Sequence, residues 1–177
     1  MIDINIAKNL ASLFHANQKY GEQSYMTHLN HVAAVLRQLY DGDLDENHEL
    51  FHLAFLHDSI EDCKEHKVYD IISSIYGDDF AKKVLTISRG EGESRADYYK
   101  RMAAFGDASV LTIKCCDRYA NCTYGVETVQ QKKYLAEYPQ FRASMRSAVG
   151  KASADEAIII MLDDWYFQNI IKLNVNS

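Results

Sequence analysis

Proline and glycine are scarce in this chain, one and eight of its 177 residues. A many-turned β sandwich needs more of both, so the shortage favours helices joined by short links. Cysteine is sparse too: Cys63, Cys115, Cys116 and Cys122. None forms a C-x-x-C pair and adjacent cysteines rarely bridge, which excludes a zinc knuckle and a secreted disulfide frame and leaves reduced thiols. Positive charge is in deficit, with 19 Lys and Arg against 25 Asp and Glu and a net charge of −6. Nucleic acid and anionic membrane surfaces are therefore poor main partners. A phosphorylated small molecule needs only a local cluster of cations. The opening residues Met1-Ile2-Asp3-Ile4-Asn5 lack a basic-then-apolar leader, and no apolar run approaches the roughly 20 residues of a membrane span. The expectation is a soluble, cytoplasmic protein with no membrane partner.

What is present suffices for one core. Hydrophobic residues make up 47% and charged residues 25% of the chain, ordinary proportions for a globular protein. The length suggests a single domain over residues 1–177. Ile6, Leu10, Leu13 and Phe14 recur at helical spacing and predict a first helix over about 3–18. A polar link at Gln18 to Ser24 follows, with Ser24 or Thr27 as the cap of a second helix whose apolar face is Val32, Val35, Leu36 and Leu39. A third helix is predicted over about 46–62, and Cys63 to Lys67 reads as a bend. Further helices are expected from Val68 to Gly77, from a cap at Asp78, from a cap at Ser94, and over Val110 to Asn121. Pro139 is expected to break the chain direction, and residues 150–173 read as a C-terminal packing helix. His48, His52 and His66 read as surface or locally hydrogen-bonded residues.

Against this background a few polar residues are misplaced. His28 lies one turn before Val32 on the same apolar face. His57 takes the next place on the stripe Leu50, Leu53, Ala54, with Asp58 beside it. Asp117 shares a stripe with Val110 and Ile113. Unpaired charge directed at a core is costly, and Asp117 has two explanations, a pairing with Lys114 or a metal. Jointly the three positions supply two imidazoles and two carboxylates, a set suited to Mn²⁺, Fe²⁺ or Zn²⁺. Glu61 and Asp62 follow one helical turn after His57-Asp58, close enough to align a water or take its proton. Glu61 is the better base on spacing, because it continues the inward stripe while Asp62 stacks over Asp58.

The order His28 … His57-Asp58 … Asp117 resembles the HD superfamily of metal-dependent phosphohydrolases. More narrowly, Ser24-Tyr25-Met26-Thr27-His28 with Val32-Ala33 is similar to "PYxxHPxxVA" of the alarmone-hydrolase branch. Leu56 to Asp62 is similar to "LHDxxED", and Ile113 to Asn121 to "VKLADRxxN". The match to that branch, the RelA/SpoT hydrolase domain and the small alarmone hydrolases, covers about residues 5–140. It implies an all-α, compact HD-domain bundle of about eight to ten helices. It also implies a pyrophosphohydrolase that removes the 3′-diphosphate from (p)ppGpp-like nucleotides of the stringent response, usually with Mn²⁺, by attack of a metal-bound water. By position, His28, His57, Asp58 and Asp117 would be ligands, and Glu61 and Asp62 the catalytic acidic pair. Lys114 and Asn121 match residues beside the substrate. Arg118, Lys19, Tyr20 and Tyr134 are further candidates for the nucleotide, with Arg89, Lys132 and Lys133 as additional cations. A homo-oligomer is compatible with the resemblance.

The sequence departs from the pattern at three places. Lys19-Tyr20 stands where that branch commonly has consecutive basic residues, Leu29 replaces a proline, and Cys115-Cys116 replaces Leu-Ala. The ligand positions are intact, so the departures bear on the nucleobase and the phosphate pattern. Two other readings remain: another HD phosphohydrolase, such as a nucleotidase or NADPH phosphatase, or a nucleotide-binding module without turnover.

Overall fold

Asp3 opens the first helix by accepting the Asn5 N–H at 2.8 Å, so one of the free donors of the first turn is met by the side chain before it. The computed structural model describes residues 2–63, 67–124, 128–149 and 156–175. Among them run α1 (Ile4–Phe14), β1 (Lys19–Tyr20), β2 (Gln23–Ser24), α2 (Met26–Leu39), α3 (Glu49–Leu56), α4 (Ser59–Asp62), α5 (Val68–Tyr76), α6 (Asp78–Ile87), α7 (Arg95–Phe105), α8 (Ala108–Thr123), α9 (Thr128–Val149) and α10 (Glu156–Val175). The class is all-α, as the scarcity of turn residues requires.

The centre of the bundle is α8. Ten of its sixteen residues are buried, and α2, α3, α6, α7, α9 and α10 all pack on it. An Asp on α8 is therefore seen from several elements at once. Helix α2 buries His28, Leu29, Val32, Ala33, Val35 and Leu36 against α3 and α8, and this brings its first turn to the middle of α8.

Several local expectations are corrected. The buried stripe of α1 is Ile4, Ala7, Ala11 and Phe14, while Ile6 and Leu13 are exposed. Small alanines let α1 lie close against α3, and closeness outweighed side-chain size. The cap position of α2 is Tyr25, whose side chain makes no capping bond; Ser24, one residue earlier, accepts the Met26 N–H on its Oγ at 3.4 Å, and Thr27 is already inside the helix. The link before it is a two-residue hairpin pairing Lys19 with Ser24 and Tyr20 with Gln23, turned by Gly21 at φ +62°. The cap of α6 is Gly77, not Asp78, whose carboxylate pairs instead with Lys82 at 2.6 Å.

The expected helix over 46–62 is two. His48 caps α3 by accepting the Leu50 N–H at 3.3 Å, and the helix stops at Leu56. Asp58 lies at φ −94°, ψ −4°, the bridge region between helix and turn, and α4 restarts from it. Cys63 closes α4; Lys64, Glu65 and His66 lie outside the described residues, as does the stretch 150–155 before α10. Pro139 does not break the chain, because α9 runs through it. A proline inside a helix costs about 3 kcal/mol, and here the neighbouring positions offset it. Tyr138, Phe141 and Met145 are buried, and Arg142 and Tyr138 both bond Asp163 of α10, at 2.6 and 2.7 Å.

Candidate metal centre and its pocket

The helix break described above delivers His57 and Asp58. His57 is fully buried, and its Nδ1 lies 2.9 Å from the carbonyl oxygen of Ala54. A carbonyl only accepts, so Nδ1 carries a proton and Nε2 points inward. That Nε2 is buried with no hydrogen-bond partner, although Asp58 Oδ2 stands 2.9 Å and Asp117 Oδ1 3.8 Å away. His28 Nε2 faces the same two carboxylates, 3.5 Å from Asp58 Oδ2 and 3.2 Å from Asp117 Oδ1. The Nε2 atoms of two imidazoles and the oxygens of two carboxylates thus converge on one point, which a cation could occupy in place of the imidazole protons. One ligand atom each from His28, His57 and Asp58 lie within 4.8 Å of one another. The donor set and the orphaned Nε2 both fit a divalent ion.

Without a cation the carboxylates act on the imidazole directly: burial alone would depress the pKa of His57, but Asp58 and Asp117 push it up to about 10, so a proton stands at Nε2 where a metal would displace it. Burial would raise both carboxylates, yet the imidazoles hold Asp58, and Lys114 with the imidazoles holds Asp117, well below the ordinary range. Tyr25 donates its hydroxyl to Asp58 Oδ2 at 2.6 Å, and burial with that neighbouring charge keeps the phenol protonated. Asp117 makes the Lys114 pairing that is the first of its two sequence explanations. It accepts from Lys114 Nζ at 2.8 Å and from Asn121 Nδ2 at 2.6 Å while also facing the imidazoles.

Above the cluster opens a pocket of about 400 Å³. Lys19, Tyr20, His28, Asp58, Glu61, Asp62, Lys114, Asp117, Asn121 and Tyr134 all line it, so most of the residues singled out in the sequence meet here. His57 lies beneath, sealed from solvent. Arg118 is elsewhere. Its guanidinium donates to Tyr99 Oη at 2.6 Å and to Glu137 at 3.4 Å, and lies over the rings of Tyr134 and Phe141. One residue after Asp117 is a rotation of about 100° around a helix, which turns Arg118 into the α9 interface. Lys132 and Lys133 are exposed and do not line the pocket. Arg89 does, together with Arg95, Tyr25 and Tyr98, three residues without a sequence signal beyond their helix-start or motif positions.

Each acidic residue of the expected pair is tethered. Glu61 Oε2 accepts the Arg89 main-chain N–H at 2.8 Å, and Asp62 Oδ2 accepts from Gln18 Nε2 at 2.8 Å. Tyr20 packs on His28, ring centroids 5.1 Å apart, and its hydroxyl is buried without a partner. Its ring therefore forms part of the wall.

Fold and cluster together define a helical domain with His28, His57 and Asp58 placed to hold a metal ion. The chain matches no protein-family model and none of the curated proteins. Among solved structures it resembles that of a metazoan ortholog of SpoT that hydrolyses ppGpp, with a TM-score of 0.73 at 16% identity over 94% of each chain. At that identity the likeness establishes the fold. No helix among the described residues is long and apolar enough to cross a membrane.

Proposed function

We propose that the chain is a metal-dependent phosphoric ester hydrolase that removes the 3′-diphosphate from ppGpp-like nucleotides. The observation that carries this reading is one pocket lined by His28 and Asp58, with His57 of the same cluster beneath it, the acidic pair Glu61 and Asp62, and four cations. The fold neighbour, whose described activity is ppGpp hydrolysis, supports it.

His28, His57, Asp58 and Asp117 would hold the cation, Mn²⁺ foremost, with Zn²⁺ or Fe²⁺ as alternatives for the same donors. Such an ion supplies Lewis acidity toward a phosphoryl oxygen and a nucleophile at neutral pH. The remaining work belongs to the side chains. Glu61, held by the Arg89 main-chain N–H with the Arg89 guanidinium 3.9 Å from its other oxygen, and Asp62, held by Gln18, align the attacking water and accept its proton. Lys114, Arg89, Arg95 and Lys19 neutralise phosphate oxygens. Asn121 offers an amide to ribose or phosphate, and Tyr20 and Tyr134 wall the space for the base.

The test is a product-resolved screen of 3′-diphosphate nucleotides with the Mn²⁺-loaded protein. Release of pyrophosphate is the expected result. Inorganic phosphate as the product would make the protein another kind of phosphatase, and binding without turnover would leave a regulatory module.

A further inference from the structure

Asp62 is exposed, and an exposed aspartate ordinarily samples several rotamers. Here a chain of contacts restrains it, and the polarity of that chain follows from its acidic end. A carboxylate only accepts, so the amide nitrogen of Gln18 faces Asp62 and the amide oxygen faces away. That oxygen lies 2.6 Å from His15 Nδ1, so Nδ1 carries the imidazole proton. The bare Nε2 is then left to the hydroxyl of Ser59, 3.5 Å away. His15 is only 2% exposed, and burial lowers its pKa, which keeps it neutral with a single donor. Its ring stacks on Tyr25 with centroids 4.7 Å apart. The Gln18 backbone is pinned on both sides, its N–H donating to the His15 carbonyl at 3.0 Å and its carbonyl accepting the Tyr25 N–H at 3.2 Å.

We propose that His15 and Gln18 are positioning residues that hold Asp62 in one orientation toward the attacking water. His15 fixes which way the Gln18 amide faces, and the amide fixes Asp62. Glu61 is set by a different device, the main-chain N–H of Arg89, so the two carboxylates of the pair are oriented independently. The inference rests on the proposed function for its kinetic consequence alone; the chain of contacts is tested separately.

The kinetic arm uses Gln18→Met, at a partly exposed site where folding is undemanding, and His15→Phe, which keeps a ring against Tyr25. Each is expected to lower kcat about tenfold with KM changed less than twofold, since misplacement of a reacting group is costly without weakening binding. The double variant is expected to be no slower than either single one, because both break the same chain. Additive losses, or wild-type kcat in Gln18→Met, overturn the proposal. The second arm follows the Gln18 side-chain amide protons by NMR. They are expected to be shifted downfield in the wild type and to return to the free-amide position in Asp62→Ala and in His15→Phe. Shifts unchanged in either variant overturn the chain itself, even if the wild type hydrolyses no nucleotide and the proposed function falls.

Discussion

The imidazole of His57 is fixed by Ala54: with Nδ1 donating to that carbonyl at 2.9 Å, the ring has one orientation and one direction for its Nε2. A ring so held aims Nε2 at Asp58 and Asp117, where it can ligate a cation once its proton is displaced. Wild-type protein with Mn²⁺ at about 100 times its Kd is expected to gain about 2.7 kcal/mol, a Tm rise of about 5–10 °C. His57→Ala and Asp58→Asn are expected to lose that rise and the bound metal. Calorimetric melts with and without Mn²⁺, and metal analysis of the purified variants, decide it. An undiminished rise in both would place the metal elsewhere.

Tyr25 acts on the same centre from outside. Its hydroxyl orients Asp58 Oδ2, and removing such a support typically weakens metal affinity about 10–100-fold. Tyr25→Phe is therefore expected to reduce Mn²⁺ affinity in that range, read by titration calorimetry, while the ring keeps its stack on His15. Unaltered affinity would mean that the hydroxyl only satisfies a buried acceptor.

Lys19 and Arg118 separate binding from folding. Both were candidates for the nucleotide by sequence position, but one lines the pocket and the other supports α9 from inside. Lys19→Met is expected to raise KM several-fold and leave Tm within about 1 °C, as surface changes do. Arg118→Met removes a buried donor to the Tyr99 hydroxyl and one of two cations on Glu137, which keeps Arg95 at 3.1 Å, and is expected to cost about 1–3 kcal/mol of stability. The folded fraction should keep its KM. Steady-state kinetics beside denaturant unfolding measure both.

The candidate centre was legible because polar residues interrupt helical stripes: His28, His57 and Asp117 each stand where an apolar residue was due, periodicity turns each toward the core, and their joint donor set and the family resemblance group them. What escaped depended on contacts distant in sequence. The break at His57-Asp58 is a backbone event with no glycine or proline to announce it. Arg118 shares a motif with Asp117 and Asn121, yet a 100° step puts it on another face. In α1 the small residues Ala7 and Ala11 took the core and left Leu13 outside, a choice made by the approach of α3. Pro139 breaks helices in isolation but is held in place by Asp163, about two dozen residues later. Arg95 reaches the pocket only because α7 lies against α9.

The loop before α7 carries its own acid sensitivity. Arg101 grips Glu93 with two bonds of 2.8 Å and also donates to the carbonyls of Ser88 and Thr86. Glu93 in turn accepts the Gly90 N–H at 2.9 Å, which holds the segment that presents Arg89 to Glu61. The Arg101 bonds lower the Glu93 pKa from 4.5 to about 2, although partial burial opposes them. A carboxyl with a folded pKa below its unfolded value stabilises the fold above the unfolded one, and that contribution is lost as pH falls from about 4.5 toward 2. Glu93→Gln is accordingly expected to melt below the wild type at pH 7. The gap should narrow under pH 4.5 and close near pH 2. A gap constant across that window would show that the substitution acts through shape alone. The same variant reports on the pocket at neutral pH: with the segment loosened, the Arg89 N–H is less firmly placed against Glu61, and kcat is expected to fall before KM moves.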